Sequence, residues 1–164
     1  MSVTATIVVG TDGCTSIDGS STRVASAADR ENFLKRRRMV DCIVIGGNTA
    51  RNERYVKTPV PLVVISRHSH PNLPAAHVWN IEPRQGVIKA AKEFGDNILI
   101  EGGSSFISHL LDNNVIDVLE VSVTSASGGS DLFDFAKYFT RADTLEEKLI
   151  DGTIFYTAHF KTQK

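Results

Sequence analysis

Two glycine pairs follow directly on short apolar runs. Cys42-Ile43-Val44-Ile45 leads into Gly46-Gly47-Asn48-Thr49, and Ile98-Leu99-Ile100 leads into Glu101-Gly102-Gly103-Ser104-Ser105. A third run, Leu62-Val63-Val64-Ile65, leads into Ser66-Arg67-His68. Glycine lets backbone amides close on a phosphate, and a helix starting just afterwards adds N–H donors and its positive dipole end. Gly102, Gly103, Ser104 and Ser105, which open a helical segment at Phe106, are therefore a candidate pyrophosphate cradle; they suit a tight strand-to-helix turn equally well. Gly46-Gly47 reads first as such a turn. Ser66-Arg67 offers a hydroxyl and a cation where the adenosine ribose of a dinucleotide would lie, a pair suited to a 2′-phosphate, whereas NAD sites place an acid there. Without a dinucleotide the same stretch is a solvated loop. Glu101 stands between a buried run and the glycine loop. Desolvation and nearby phosphates would both raise its pKa and fit it to hold or deliver a proton; the structural alternative is an acceptor for loop amides.

Several other chemistries find no support. There is no G-x-G-x-x-G after a strand and no G-x-x-x-x-G-K-[ST], so neither a regular Rossmann site nor a P-loop is present. P-C-x-x-C, the mark of a zinc deaminase, is missing. His68 and His70 lie two apart in a proline-containing loop without an acidic or Cys partner nearby, so no metal site is expected. Ser20-Ser21-Thr22 has no base or elbow around it. Lys35-Arg36-Arg37-Arg38 reads as a solvated face whose cations complement a helix C-terminus. Cys14 and Cys42 fit neither a CxxC pair nor a disulfide framework.

The elements that must carry these loops follow from hydrophobic patterning. The three runs are short, β-branched and without polar alternation, the pattern of strands buried on both faces of a parallel sheet; residues 3–9 add a fourth. Helices are expected over 26–40, with Ser26 as N-cap and Asp29 as capping acid, over 83–94, and over 104–112. A strand over 115–123, a loop over 125–130, and strands flanking Asp151-Gly152, a strong hairpin signal, complete the chain. The expectation is an α/β fold in three layers: a mostly parallel central sheet flanked by helices, with antiparallel C-terminal edge strands. At 164 residues, with 18 Lys+Arg against 19 Asp+Glu and 41% hydrophobic residues, this is one domain, 1–164. The near-neutral charge gives no footprint for nucleic acid, no run is long enough to span a membrane, and the N-terminus does not read as a signal peptide. The cytoplasm is the expected compartment.

Taken in order, Thr11-Asp12-Gly13, Ser26-x-x-Asp29-Arg30, the stretch from Asp41 to Arg51, Pro61 to Arg67, Glu101-Gly102-Gly103, and Val115-Ile116-Asp117 leading to Gly128-Gly129 resemble the riboflavin-biosynthesis pyrimidine reductase family. That family shares the dihydrofolate reductase fold and uses NADPH to reduce the ring-opened ribosylamino group of a phosphorylated aminopyrimidine. The resemblance implies that Thr11, Asp12 and Gly13 line the nicotinamide and substrate cleft, and that Gly47 and Thr49 lie over the cofactor. It implies further that Ser66 and Arg67 sit beside the adenosine phosphate, that Gly102, Gly103 and Ser104 hold the pyrophosphate, and that Glu101 faces the cleft. Where the riboflavin enzymes continue with Asp-x-Pro and a phosphate-binding Arg, this chain has Asn52-Glu53-Arg54-Tyr55. The expected activity is NADPH-dependent reduction of a small, pyrimidine-like C=N or C=O substrate, with Glu101, Asp12 and Glu53 as candidate acids. A non-catalytic nucleotide-binding module and a folate reductase are the alternatives. A homodimer is expected, with Trp79, Phe155, Tyr156 and Phe160 near exposed edges.

Overall fold

The computed structural model describes residues 1–161. Along the chain run β1 (Ser2–Val9), α1 (Ala27–Arg37), β2 (Cys42–Gly46), α2 (Gly47–Asn52), β3 (Leu62–Ile65), β4 (His77–Trp79), α3 (Pro83–Phe94), β5 (Asn97–Glu101), α4 (Ser104–Asp112), β6 (Val118–Val123), α5 (Phe135–Phe139), β7 (Thr144–Ile150) and β8 (Thr153–His159). The strands form one sheet in the order β4-β3-β2-β5-β1-β6-β8-β7. All pairings from β4 to β6 are parallel. β8 runs antiparallel to both β6 and β7, so the expected mixed sheet with antiparallel edge strands is present.

The uninterrupted apolar runs are buried on both faces. Val3, Ala5, Val44, Val63 and Ile100 pack with Val87 and Ala90 of α3 and Ile107, Leu110 and Leu111 of α4. The alternate residues Ile43, Ile45, Val64 and Leu99 pack with Ala50, Tyr55 and Leu73 in a second cluster. Period-two alternation thus splits β2, β3 and β5 between two cores, which is why no polar residue interrupts those three runs. At Asp151-Gly152 both residues have positive φ, 49° and 79°, as a two-residue turn between twisted strands requires.

The structure differs from expectation in several places. α1 ends at Arg37, with Arg38 as C-cap, rather than running to residue 40. The last parallel strand begins at Val118; Val115 and Ile116 are buried ahead of it in the turn after α4. The edge strand β4 and the short helix α5 carry too few periodic residues to be read from the sequence. The basic run at residues 35–38 is a solvated face only at Lys35 and Arg38, which are exposed: Arg37 is 7% exposed, and Arg36 donates to Thr6 Oγ1 at 2.9 Å and pairs with Glu120.

Candidate active site

The glycine turns at the ends of β2 and β5 face each other and are joined by one side chain. Thr49, buried in the first turn of α2, accepts the Gly103 N–H on its Oγ1 at 2.8 Å. Gly102 lies at φ +119°, and a Cβ there would come within 2.6 Å of the same oxygen. Glycine is therefore required both by backbone conformation and by close approach. Gly103 is the N-cap of α4 and makes no side-chain cap bond, so the first N–H groups of that helix are offered to the cleft that Gly103, Ser104 and Ser105 line.

The end of β3 adjoins this floor. A Cβ on Gly47 would stand 2.6 Å from Ser66 Oγ and 3.3 Å from an Arg51 guanidinium nitrogen. Ser66 Oγ accepts the His68 N–H at 3.1 Å and bonds His70 Nε2 at 2.9 Å. His70 is held below the ordinary imidazole value by burial and by the neighbouring positive charges of Arg51 and His68. Arg67 is exposed on the cleft wall. Hydroxyl and cations are thus grouped at one end of a cleft of about 1150 Å³.

Helix α1 also lines the cleft. Asp29, Phe33 and Arg37 recur every four residues and so share one face, and all three line the cleft. Ser26 caps the helix by accepting the Asp29 N–H at 3.1 Å, but the Asp29 carboxyl does more than cap. It is 8% exposed, with Ser122 of β6 beside it. Burial raises its pKa above the ordinary carboxyl value, against the opposing pull of Ser122, Arg36 and Arg30.

Glu101 is where the sequence places it, at the cleft and 1% exposed, but it is not an unpaired acid. Arg37 donates Nε and Nη2 to its two oxygens at 2.9 and 2.7 Å, and the Tyr55 hydroxyl donates to it at 2.7 Å. The Arg37 guanidinium also lies over the Phe33 and Tyr55 rings at 4.2 and 4.9 Å. Burial alone would lower the arginine's pKa; the Glu101 hydrogen bonds and charge outweigh it and raise the value. Burial and the Glu101 charge push the Tyr55 phenol well above its usual range. The expectation that phosphates would repel Glu101 into an acid overlooked this arginine, which was hidden in a run that reads as surface.

The remaining candidates divide. Glu53 lines the cleft and accepts the Ser21 N–H at 2.7 Å. Thr11, Asp12 and Gly13 lie outside the lining, whose rim is formed by Thr15, Ser16 and residues 19–22 instead. Asp12 is a turn-holder: bonds from the Cys14 side chain and the Gly128 and Cys14 N–H groups lower its pKa to about 2. A group so readily ionised, and outside the cleft, is a poor proton donor. Asp29, Arg37 and Tyr55 were missed by sequence reasoning; the signal that could have found the first two is the four-residue spacing of Asp, Phe and Arg. Among the described residues no cluster of His, Cys, Asp or Glu is arranged to hold a metal ion, and no helix is long and apolar enough to cross a membrane.

Comparison with known proteins agrees with this architecture. The chain is similar in structure to a diaminohydroxyphosphoribosylaminopyrimidine deaminase/5-amino-6-(5-phosphoribosylamino)uracil reductase from Thermotoga maritima, with TM-score 0.71 and 15% identity over 98% of this chain. It spans only 56% of that longer protein. A pyrimidine reductase-like protein from Corynebacterium diphtheriae gives TM-score 0.73 at 18% identity, covering 96% of this chain and 91% of that one. Dihydrofolate reductase from Enterococcus faecalis, solved with NADP(H), gives 0.72 at 15% identity, covering 96% and 95%. At such identities these likenesses establish the fold, which is dihydrofolate reductase-like. No curated protein sequence matches significantly. Residues 1–131 match the RibD C-terminal domain, and the chain belongs to that family.

Proposed function

We propose that this chain is an NADPH-dependent reductase of a small, flat, pyrimidine-like substrate. The observation that carries the proposal is that one cleft is lined by two chemically distinct groups of residues. The glycine turns, the α4 N-terminus and the Ser66–Arg67 end suit a dinucleotide carrying a 2′-phosphate. The α1 wall presents an aromatic ring and a buried carboxyl, suited to a planar heterocycle with polar edges. The donor set fits the cofactor: Gly102, Gly103, Ser104 and Ser105 would hold its pyrophosphate, with Gly47 and Thr49 beside them, and Ser66 and Arg67 would hold its 2′-phosphate. When bound, the reduced nicotinamide would supply a hydride to a C=N or C=O carbon.

The protein's own contribution is to position and to protonate. Asp29, kept protonated to higher pH by burial, holds a proton at the substrate wall and is the proposed general acid. Glu101 is a positioning residue: through Arg37 and Tyr55 it fixes the floor against which a ring would lie. Glu53 orders the loop at residues 19–22 through Ser21.

Oxidation of NADPH followed with a phosphoribosylaminopyrimidine and, separately, with dihydrofolate tests the reading. Turnover of the first is expected. Turnover of dihydrofolate alone would reassign the substrate, and NADPH binding without any turnover would make the chain a nucleotide-binding module. A cofactor that binds only the folded state raises the melting temperature, so failure of NADPH to do so would remove the proposal altogether.

A further inference from the structure

Arginine carries five N–H donors in one plane, and Glu101 takes only two of those on Arg37, one from Nε and one from Nη2. Nη1 makes no hydrogen bond to a described residue. It is not sealed in either: among the described residues no enclosed side-chain nitrogen is left without a hydrogen bond. The Arg37 side chain is 8% exposed and lines the cleft, so the part of it that remains open faces the place where a substrate would lie. Its direction is fixed. The two bonds to Glu101 set the rotation of the guanidinium within its plane, and the Phe33 and Tyr55 rings, centred 4.2 and 4.9 Å from its central carbon, hold the plane itself.

We infer that this unpaired edge of Arg37 determines specificity, donating to a carbonyl oxygen on the edge of the bound ring and so admitting an oxo group where it refuses an amino group. The inference rests on the reading of the cleft as the site of a pyrimidine-like substrate. Arginine has donors and no acceptor, so an amino group set against Nη1 puts donor against donor, and both lose water without a replacement. An anion is refused as well. Glu101 stands 2.7 Å from Nη2 and already balances the guanidinium charge, so a phosphate or carboxylate arriving at Nη1 meets a neutral pair with a carboxylate behind it. A neutral oxygen is what this edge fits. Asp29 and Phe33 share the same face of α1 at four-residue spacing, so the carboxyl, the aromatic surface and the carbonyl reader address one ring from one helix.

A cycle between residue and ligand group tests this, with NADPH saturating. Binding of diaminouracil is compared with that of tetraaminopyrimidine, which carries amino groups in place of both carbonyls, in the parent and in Arg37→Lys. Lysine keeps a charge for Glu101 and loses the second edge. Each ring is its own reference, so any preference of Asp29 for one of them cancels. The carbonyl ring should bind about tenfold or more weaker in the variant, the loss of a hydrogen bond to a charged group, while the amino ring stays within about threefold of the parent. Arg37→Met combined with Glu101→Gln removes both charges together, leaves neither buried alone, and should give the same contrast; it decides the matter if Arg37→Lys does not fold. Equal weakening of the two rings makes Arg37 a structural residue only and overturns the inference, as does no weakening of either. Loss of NADPH affinity in Arg37→Lys would put the acceptor on the cofactor and overturn it too. If neither ring binds the parent, the reading of the cleft as a pyrimidine site fails, and the inference with it.

Discussion

Arg37, the last residue of α1, grips both carboxylate oxygens of Glu101, the last residue of β5, at 2.9 and 2.7 Å. The pair lies 64 residues apart in sequence and is almost wholly removed from solvent. Its consequence is that helix, strand end and glycine turn move as one unit.

Breaking that pair should be costly to the fold. Removing one partner of a buried, doubly bonded ion pair leaves an uncompensated charge and typically costs about 3–5 kcal/mol. Glu101→Gln should lose stability on that scale in urea unfolding, and Tyr55→Phe, which removes one hydrogen bond to a charged group, about 1.5–3 kcal/mol. Unchanged stability in Glu101→Gln would show that the pair is not holding α1 to β5.

Asp29→Asn separates chemistry from stability. As the general acid, Asp29 should account for about 10²-fold or more of turnover, so the variant should be nearly inactive, whereas Asp12→Asn should not. The effect on stability has the opposite sign. The folded-state pKa lies above the ordinary value of 3.8 because burial disfavours the charged form. The folded state is therefore favoured at low pH, and that advantage is lost as pH rises through the raised pKa. Asp29→Asn should accordingly melt above the parent at neutral pH, and the difference should vanish in acid. In the parent, turnover should fall with rising pH as the proton leaves Asp29. An active Asp29→Asn would remove the acid from the proposed chemistry.

The sheet was legible because its strands are local statements: an unbroken β-branched run between small residues can be little else than a strand covered on both sides. The glycine turns were legible for the same reason. The acid was not. Asp29 reads as a helix-capping residue, and its second neighbour, Ser122, lies 93 positions onward, brought near only by the pairing of β1 with β6. Arg37 was hidden in a basic run, since nothing local distinguishes the arginines that turn inward, Arg36 and Arg37, from Lys35 and Arg38, which stay in water. The placement of Thr11-Asp12-Gly13 at the cleft erred by a few residues for a related reason. The turn they make is tied back to Ala126 and Gly128, and the chain reaches the cleft only beyond it.

The cofactor's 2′-phosphate should be read at Arg67. Charge-assisted hydrogen bonds contribute about 1.5–3 kcal/mol, so Arg67→Ala should narrow the preference for NADPH over NADH by roughly tenfold or more, mostly by weakening NADPH. Binding titrations of both cofactors check this, and equal affinities in the parent would contradict the assignment.

Thr49 provides the last test, because one oxygen serves both glycine turns. Thr49→Val keeps shape but removes the acceptor of the half-buried Gly103 N–H, a loss of about 0.5–1.5 kcal/mol, the net contribution of an ordinary hydrogen bond. Gly102→Ala attacks the same joint from the other side. It puts a side chain at φ +119° and a Cβ within 2.6 Å of that oxygen, so the two turns must part or the backbone must change. Both variants should therefore bind NADPH more weakly, and Gly102→Ala should do the greater damage, since it displaces the backbone that would face the pyrophosphate rather than only loosening it. Thr49→Ser supplies the control: it keeps the acceptor, loses one methyl group, and should retain most of the affinity. If Thr49→Val binds NADPH as the parent does while Gly102→Ala fails, the backbone conformation of the β5 turn matters and its tie to the β2 turn does not.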